Sequence, residues 1–298
     1  MKFESKEGKV IRIMFAVKPK IGNFMSFRCL LRSSERGKSD LVTSNFLDDQ
    51  KIAVITLNNP SKLNALTEPM GDQLTAHVTE LKNKTIRAAI ITGAGKAFSA
   101  GGDLDWLLQR HRDTPDNNIQ IMQQFYQRFL VLRTLEVPII AAINGAAVGA
   151  GFCLALGGAD IRVASSQAKM GLTFTKLGLH PGMAATHFLP QLAGPQVAAE
   201  LLLTGRLVTA GEAVSMGLVA RQADDALEAS LTIARDICNS APIAVRTTLE
   251  TLRSKQDLGL DQAYRREATA QAECYPSQDL KEGVTALQEK RKPVFTGN

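Results

Sequence analysis

The segment from Pro138 to Leu156 constrains this chain's fold more than any other. Residues 139–143 form an apolar run of strand length. Gly145, Gly149 and Gly151 then let the backbone turn sharply and approach a ligand closely. An apolar helix follows, its first N–H groups unpaired and directed back at the turn. Such an end stabilises negative charge through orphan donors and the helix dipole. Glycines so placed also serve tight helix–strand packing, and the pattern alone does not separate the two uses.

A second segment, Lys96 to Leu104, has a related design. It follows the apolar strand 87–92, passes through Ala100, Gly101 and Gly102, and reaches Asp103, which can cap a helix. Two glycine-rich loops, each after a strand, can set two backbone N–H groups around one oxygen, the geometry of an oxyanion hole. Gly149-Ala150-Gly151 is not a dinucleotide fingerprint, because the third glycine and the following βα unit are missing.

Around these loops the chain alternates. Residues 51–57 read as the first strand of the body. Thr67 can cap a helix with Pro69 in its first turn, running to about Lys82. A helix is expected from Asp103 to His111, a polar loop from Arg112 to Asn118, and a helix over 119–135 with apolar period Met122, Phe125, Phe129, Leu132. Residues 160–164 read as another strand. The alternation predicts an α/β core over 46–195. From Gln196 the pattern is almost wholly helical, giving a C-terminal helical region over 196–298. No internal repeat is visible.

The chain has 298 residues and a net charge of +6. Residues 1–45 carry ten Lys/Arg and four Asp/Glu, which accounts for the whole excess and leaves the body neutral. Strong binding to nucleic acid is therefore not expected of the body. Residues 1–45 read as a basic arm. Glu4 and Glu7 are atypical of a presequence, whereas residues 10–38 resemble a mitochondrial transit peptide; a basic extension is the other reading. The mitochondrial matrix and the cytoplasm both fit. Cys29, Cys153, Cys238 and Cys274 show no C-x-x-C spacing and the four histidines no H-E-x-x-H, so neither a disulfide framework nor a metal site is expected. No apolar run reaches the ~20 residues that span a membrane.

From about Lys51 to Phe295 the chain resembles the enoyl-CoA hydratase/isomerase (crotonase) family. The resemblance rests on Asn58 to Leu66, Lys96 to Asp103, Ile143 to Leu156, Ala168 to Gly171, Lys176 to Gly182, Leu203 to Arg206 and Glu282 to Phe295. It implies a spiral of ββα units, with C-terminal helices that pack across a homotrimer or a dimer of trimers. The implied substrate is an acyl-CoA thioester, handled as an enolate, with no cofactor beyond the coenzyme A that the substrate carries. The N–H groups of Gly102 and Ala150 would hold the thioester oxygen. Lys62, Ala65, Ala100, Asp103 and Leu104 would line the coenzyme A groove. Lys290 falls where a basic residue can reach a coenzyme A phosphate, although a solvated basic helix end explains it equally.

The chain departs from the pattern where protons are moved. The two glutamate positions of the family's hydratases fall on Cys153 and Phe174, and a third carboxylate position, used in dienoyl-CoA isomerases, falls on Gly182. Phe174 cannot transfer a proton, and a thiol among apolar neighbours is a poor acid. His180 is the one titrating side chain in the loop that would face the acyl group, so it is a candidate proton carrier; a structural role is the alternative. Asp160 is expected to be structural. Three readings remain open: an acyl-CoA enzyme with divergent chemistry, a non-catalytic coenzyme A-binding or assembly subunit, and an RNA-binding member. The last is weakened by a region, His77 to Arg87, that holds only Lys82, Lys84 and Arg87 as cations.

Overall fold

The computed structural model describes residues 40–254, Cys274 and residues 277–298. Residues 1–39, and with them most of the expected basic arm, lie outside the described residues. The compact body starts at Asp40. Its first strand is not 51–57 but β1 (Val42–Leu47), which pairs antiparallel with β2 (Ile52–Leu57). The last residues assigned to the arm, Val42 to Asn45, therefore belong to the sheet. The alternation of Val42, Ser44 and Phe46 against polar neighbours was too short to read as a strand.

The chain then repeats one move. Helix α1 (Glu68–Leu81), capped by Thr67, leads to β3 (Ala88–Gly93) and β4 (Ala97–Ser99). Helices α2 (Leu104–His111) and α3 (Pro115–Leu130) lead to β5 (Ile139–Ile143) and β6 (Ala146–Val148). Helix α4 (Ala150–Gly158) leads to β7 (Ile161–Ser165) and β8 (Lys169–Gly171), and α5 (Ala185–Thr204), broken at Gly194, follows. In each turn the first strand joins a six-stranded sheet, ordered β1-β2-β3-β5-β7-β10. The second joins a four-stranded sheet, ordered β4-β6-β8-β9. This is a spiral of ββα units, built without any repeat visible in the residues.

Three expectations are corrected. The polar loop at 112–118 is shorter than expected, because Thr114 caps α3 and Pro115 opens it. The two glycine segments are not plain loops, since Ala97–Ser99 and Ala146–Val148 are strands of the small sheet; three residues give too little alternation to be read. The C-terminal region is not wholly helical. It includes β9 (Leu207–Thr209) and β10 (Arg221–Ala223) alongside α6 (Ala210–Ser215), α7 (Ala226–Cys238), α8 (Pro242–Ser254) and the closing helix Gln278–Glu289.

The large sheet is parallel except at β1 and is covered on both faces, which is why β3 and β5 are apolar and buried throughout. Ala53, Ile55, Ile91 and Ile143 share one core with α1 and α4, while Ile52, Val54, Ile90 and Ile140 pack with Leu231 and Ala234 of α7. Helix α8 is tied on by Arg253. Its guanidinium meets both Asp160 oxygens at 2.8 and 2.7 Å and donates to the carbonyls of Leu135 and Arg133 at 2.6 and 3.1 Å. Asp160 also accepts from the Ile139 amide at 2.8 Å, which confirms its structural role.

Candidate active site

The site forms where β4 and β6, paired in parallel, both end. Ligands gather at the carboxyl ends of such strands because the loops there expose backbone N–H groups. Beyond β4, buried Ser99 donates to the Asn64 carbonyl at 2.8 Å and accepts from the Gly101 amide at 3.2 Å. Gly101 has φ +99°, and a methyl there would lie 2.7 Å from the Val148 carbonyl oxygen and 3.6 Å from the Ala150 nitrogen. The two loops thus touch. Gly102 bridges Leu66 in parallel. The bridge uses the Gly101 carbonyl, at 2.7 Å from the Leu66 amide, and the Asp103 amide, at 3.3 Å from the Leu66 carbonyl. A parallel bridge skips the central residue, so the Gly102 N–H is left over.

Beyond β6, Gly149 adopts φ 54°, ψ −125°, a conformation reserved for glycine. Its N–H goes to the Gly171 carbonyl at 2.8 Å, and its carbonyl receives the Phe152 and Cys153 amides. The Ala150 N–H, the first of α4, has no partner among the described residues. Helix α4 is seated tightly: a methyl at Gly151 would fall 2.5 Å from the Ser99 carbonyl oxygen. The small sheet therefore brings two spare amides to one place.

They open into a cavity of about 540 Å³, lined among others by Ala100, Gly102, Leu104, Ala150, Phe174 and His180. His180 places Nδ1 at 2.8 Å from the Pro181 carbonyl, so Nδ1 is the donor of that bond. Asp103 caps α2 through the Trp106 amide at 3.0 Å and meets the Lys62 ammonium at 3.2 Å. The Trp106 amide, and then Lys62, hold its carboxyl below the usual range, and it remains ionised. Lys62, Ala65 and Asp103 are near the Gly102 loop but do not line the cavity, and neither does Lys290, at the end of the closing helix. Asp113 is the one carboxylate on the wall among the described residues. Its oxygens are held by Asn117, the Thr114 amide and Arg110, in that order of effect, which keeps its pKa low and makes it a weak base.

Cys153 is wholly buried beneath the cavity, donating to the Gly182 carbonyl with Sγ at 3.6 Å. Burial drives its thiol far up, so it has no thiolate to offer. Among the wall residues that the sequence did not point to is one with a hydroxyl. Tyr126 of α3 lines the cavity, and a methyl at Gly182 would lie 2.5 Å from its hydroxyl oxygen. Its signal was a hydroxyl-bearing ring one helical turn from Met122, on a face otherwise read as core.

In this α/β spiral Gly102 and Ala150, just beyond the ends of adjacent strands of the small sheet, line one cavity. The model of the enoyl-CoA hydratase/isomerase family matches residues 48–298, and the chain belongs to that family. A short-chain-enoyl-CoA hydratase of Clostridium acetobutylicum is 34% identical over 246 residues, covering 81% of this chain and 93% of that protein. A 1,2-epoxyphenylacetyl-CoA isomerase of Escherichia coli is 34% identical, covering 84% and 96% respectively. The crystal structure of an enoyl-CoA hydratase from Bacillus anthracis superimposes with a TM-score of 0.80 at 32% identity, over 87% of this chain and all of that one. The protein is an enzyme of the hydratase/isomerase type with the crotonase fold.

Proposed function

We propose that this enzyme holds an acyl-CoA thioester with its oxygen between the Gly102 and Ala150 amides and converts it to an enolate without paired carboxylates. The observation that carries this reading is the pair of amides, unused among the described residues, at the ends of adjacent strands, opening on a wall that includes Phe174, with Cys153 buried behind it. Each amide stabilises the enolate oxygen, by about 2.7–4 kcal/mol in comparable sites. His180 Nε2 takes the α-proton and returns it from the imidazolium, so the chemistry is proton transfer rather than hydration. The ionised Asp103, fixed by Lys62, shapes the groove for coenzyme A together with Ala65, Ala100 and Leu104, and Lys290 serves the coenzyme A phosphate. No other cofactor is invoked. Exposed Leu252, Leu280 and Val284 on the C-terminal helices support self-association as a trimer or a dimer of trimers, checked by sedimentation at micromolar concentration.

The test is a turnover screen of the full chain against a panel of acyl-CoA thioesters, repeated with His180→Ala. Activity that falls 10²-fold or more in the variant supports the reading. Coenzyme A thioesters that fail to bind, or an activity indifferent to His180→Ala, overturn it or its assignment of the base.

A further inference from the structure

A second cavity, of about 760 Å³, lies where the chain enters β3 and β5, and it shares no lining residue with the cavity of the candidate site. That volume is in the range of small-molecule sites. Its apolar wall is aliphatic. Leu81, Ile86 and Leu135 are buried, and Val137, Ile243 and Val245 are half-buried beside them. Among the described residues no aromatic ring lines it. Gly297 closes one edge, where a methyl would lie 3.1 Å from the Pro242 Cγ. That edge is fastened, because the buried Asp279 carboxylate accepts from the Thr296 and Gly297 amides at 2.7 and 2.9 Å.

The rest of the wall is cationic. Lys82, Lys84, Arg87 and Arg246 line it against one carboxylate, Glu136, in a body that is otherwise neutral. These cations are held loosely. Lys84 meets Glu80 at 3.4 Å and Arg246 meets Glu250 at 3.3 Å, exposed pairs four residues apart that exchange readily for a better anion. The Arg87 guanidinium donates to the Ser240 carbonyl, a neutral partner that leaves its charge uncompensated. An aliphatic wall with a cationic rim selects a ligand made of the same two parts. A nucleotide would find charge but no ring to stack on, and a neutral lipid would leave the cations unused. An aliphatic chain with one anionic head uses both. Each methylene it buries tightens binding about fourfold, and the head accepts charge-assisted hydrogen bonds from Lys and Arg.

We propose that this cavity is a binding site for a free aliphatic carboxylate, a ligand of the fatty-acid class. The head sits among Lys82, Lys84, Arg87 and Arg246, and the chain lies against Leu81, Ile86, Leu135 and Ile243. The inference does not rest on the acyl-CoA reading, since the two cavities have no lining residue in common. It gives the protein a second place to hold an acyl chain, one that asks for the bare acid.

The experiment is a calorimetric titration of the full chain with decanoate, decanol and acetate, with unfolding midpoints measured in parallel. Decanoate should bind at least about 10-fold more tightly than decanol, the difference made by one hydrogen bond to a charged group. Acetate, which lacks the chain, should not register. Lys82→Glu combined with Lys84→Glu, on exposed side chains, should weaken decanoate about 10-fold or more and leave the midpoint as it was. Lys82→Gln with Lys84→Gln, which removes the charges without reversing them, should fall between. A diazirine analogue of decanoate, photolysed and followed by peptide mapping, should mark residues 81–87, 134–138 or 242–246. Folded wild type that does not bind decanoate, or binds decanol equally well, overturns the inference. So does an affinity indifferent to the lysine changes, or a label confined to the cavity lined by Gly102 and Ala150.

Discussion

Replacing Gly102 by proline deletes one hydrogen atom from the site while sparing the fold. The parallel bridge to Leu66 runs through the Gly101 carbonyl and the Asp103 amide, so no structural hydrogen bond is lost with the Gly102 N–H. A β-carbon at this position meets nothing nearer than the Leu107 Cδ1 at 3.9 Å, an ordinary contact. The preceding Gly101 tolerates a following proline, because it lacks the β-carbon that such a neighbour restricts. Stability should therefore change by less than about 1 kcal/mol. Enolate stabilisation should fall by about 2.7–4 kcal/mol, a rate loss of roughly 10²–10³. Gly102→Ala adds the β-carbon but keeps the donor, so it controls for bulk. The assay is exchange of the α-hydrogens of butyryl-CoA for solvent deuterium, followed by mass spectrometry, with thermal unfolding and coenzyme A affinity measured in parallel. A folded Gly102→Pro protein that binds coenzyme A normally and exchanges as fast as Gly102→Ala would refute the assignment of this amide.

Hydration of crotonyl-CoA, followed by loss of the enoyl absorbance, should run at least about 10²-fold below the 10–10³ s⁻¹ usual for a good enzyme, because the family resemblance puts its two glutamate positions on Cys153 and Phe174. Ordinary hydratase rates would show that another group activates water. Arg253→Ala should destabilise the body by about 3 kcal/mol, since it leaves the half-buried Asp160 unpaired and releases the carbonyls of Leu135 and Arg133; an unchanged unfolding midpoint would contradict that anchor. Cys153 should resist iodoacetamide at pH 8 in the folded protein and react once unfolded, because burial raises its thiol and denies access. Peptide mapping that finds Cys153 alkylated in the native state would refute its placement.

The parts of this fold that were legible in the residues are those with long-range period or obligatory glycine. Helix α1, with its Thr67 cap, and strands β3, β5 and β7 emerge close to their expected bounds, because burial on both faces forces continuous apolar runs. Gly102 and Ala150 are named through the family resemblance, and the close approach of their two loops falls at Gly101, where a methyl would lie 2.7 Å from the Val148 carbonyl oxygen. Strands β4, β6 and β8 were hidden, since three residues cannot show alternation; they exist because neighbouring turns of the spiral supply their partners. Tyr126 was hidden for another reason. Its helical spacing says that it faces inward, and only the third dimension shows that inward here means toward Gly182. His180 was legible as a residue type, but its Nδ1 bond depends on the Pro181 carbonyl, a contact made by loop geometry.

The two amides proposed for the thioester oxygen follow adjacent strands of one small sheet. The strands that lead to them are held by hydrogen bonds at the spacing of about 4.8 Å that every β-sheet shares. The residues around the cavity sit on other carriers: Cys153 on α4, Phe174 in a short turn, His180 and Gly182 in a loop, Tyr126 on α3. A lineage can therefore exchange each of these singly without changing the gauge of the enolate cradle. The cavity wall becomes a set of replaceable fittings on a fixed mount.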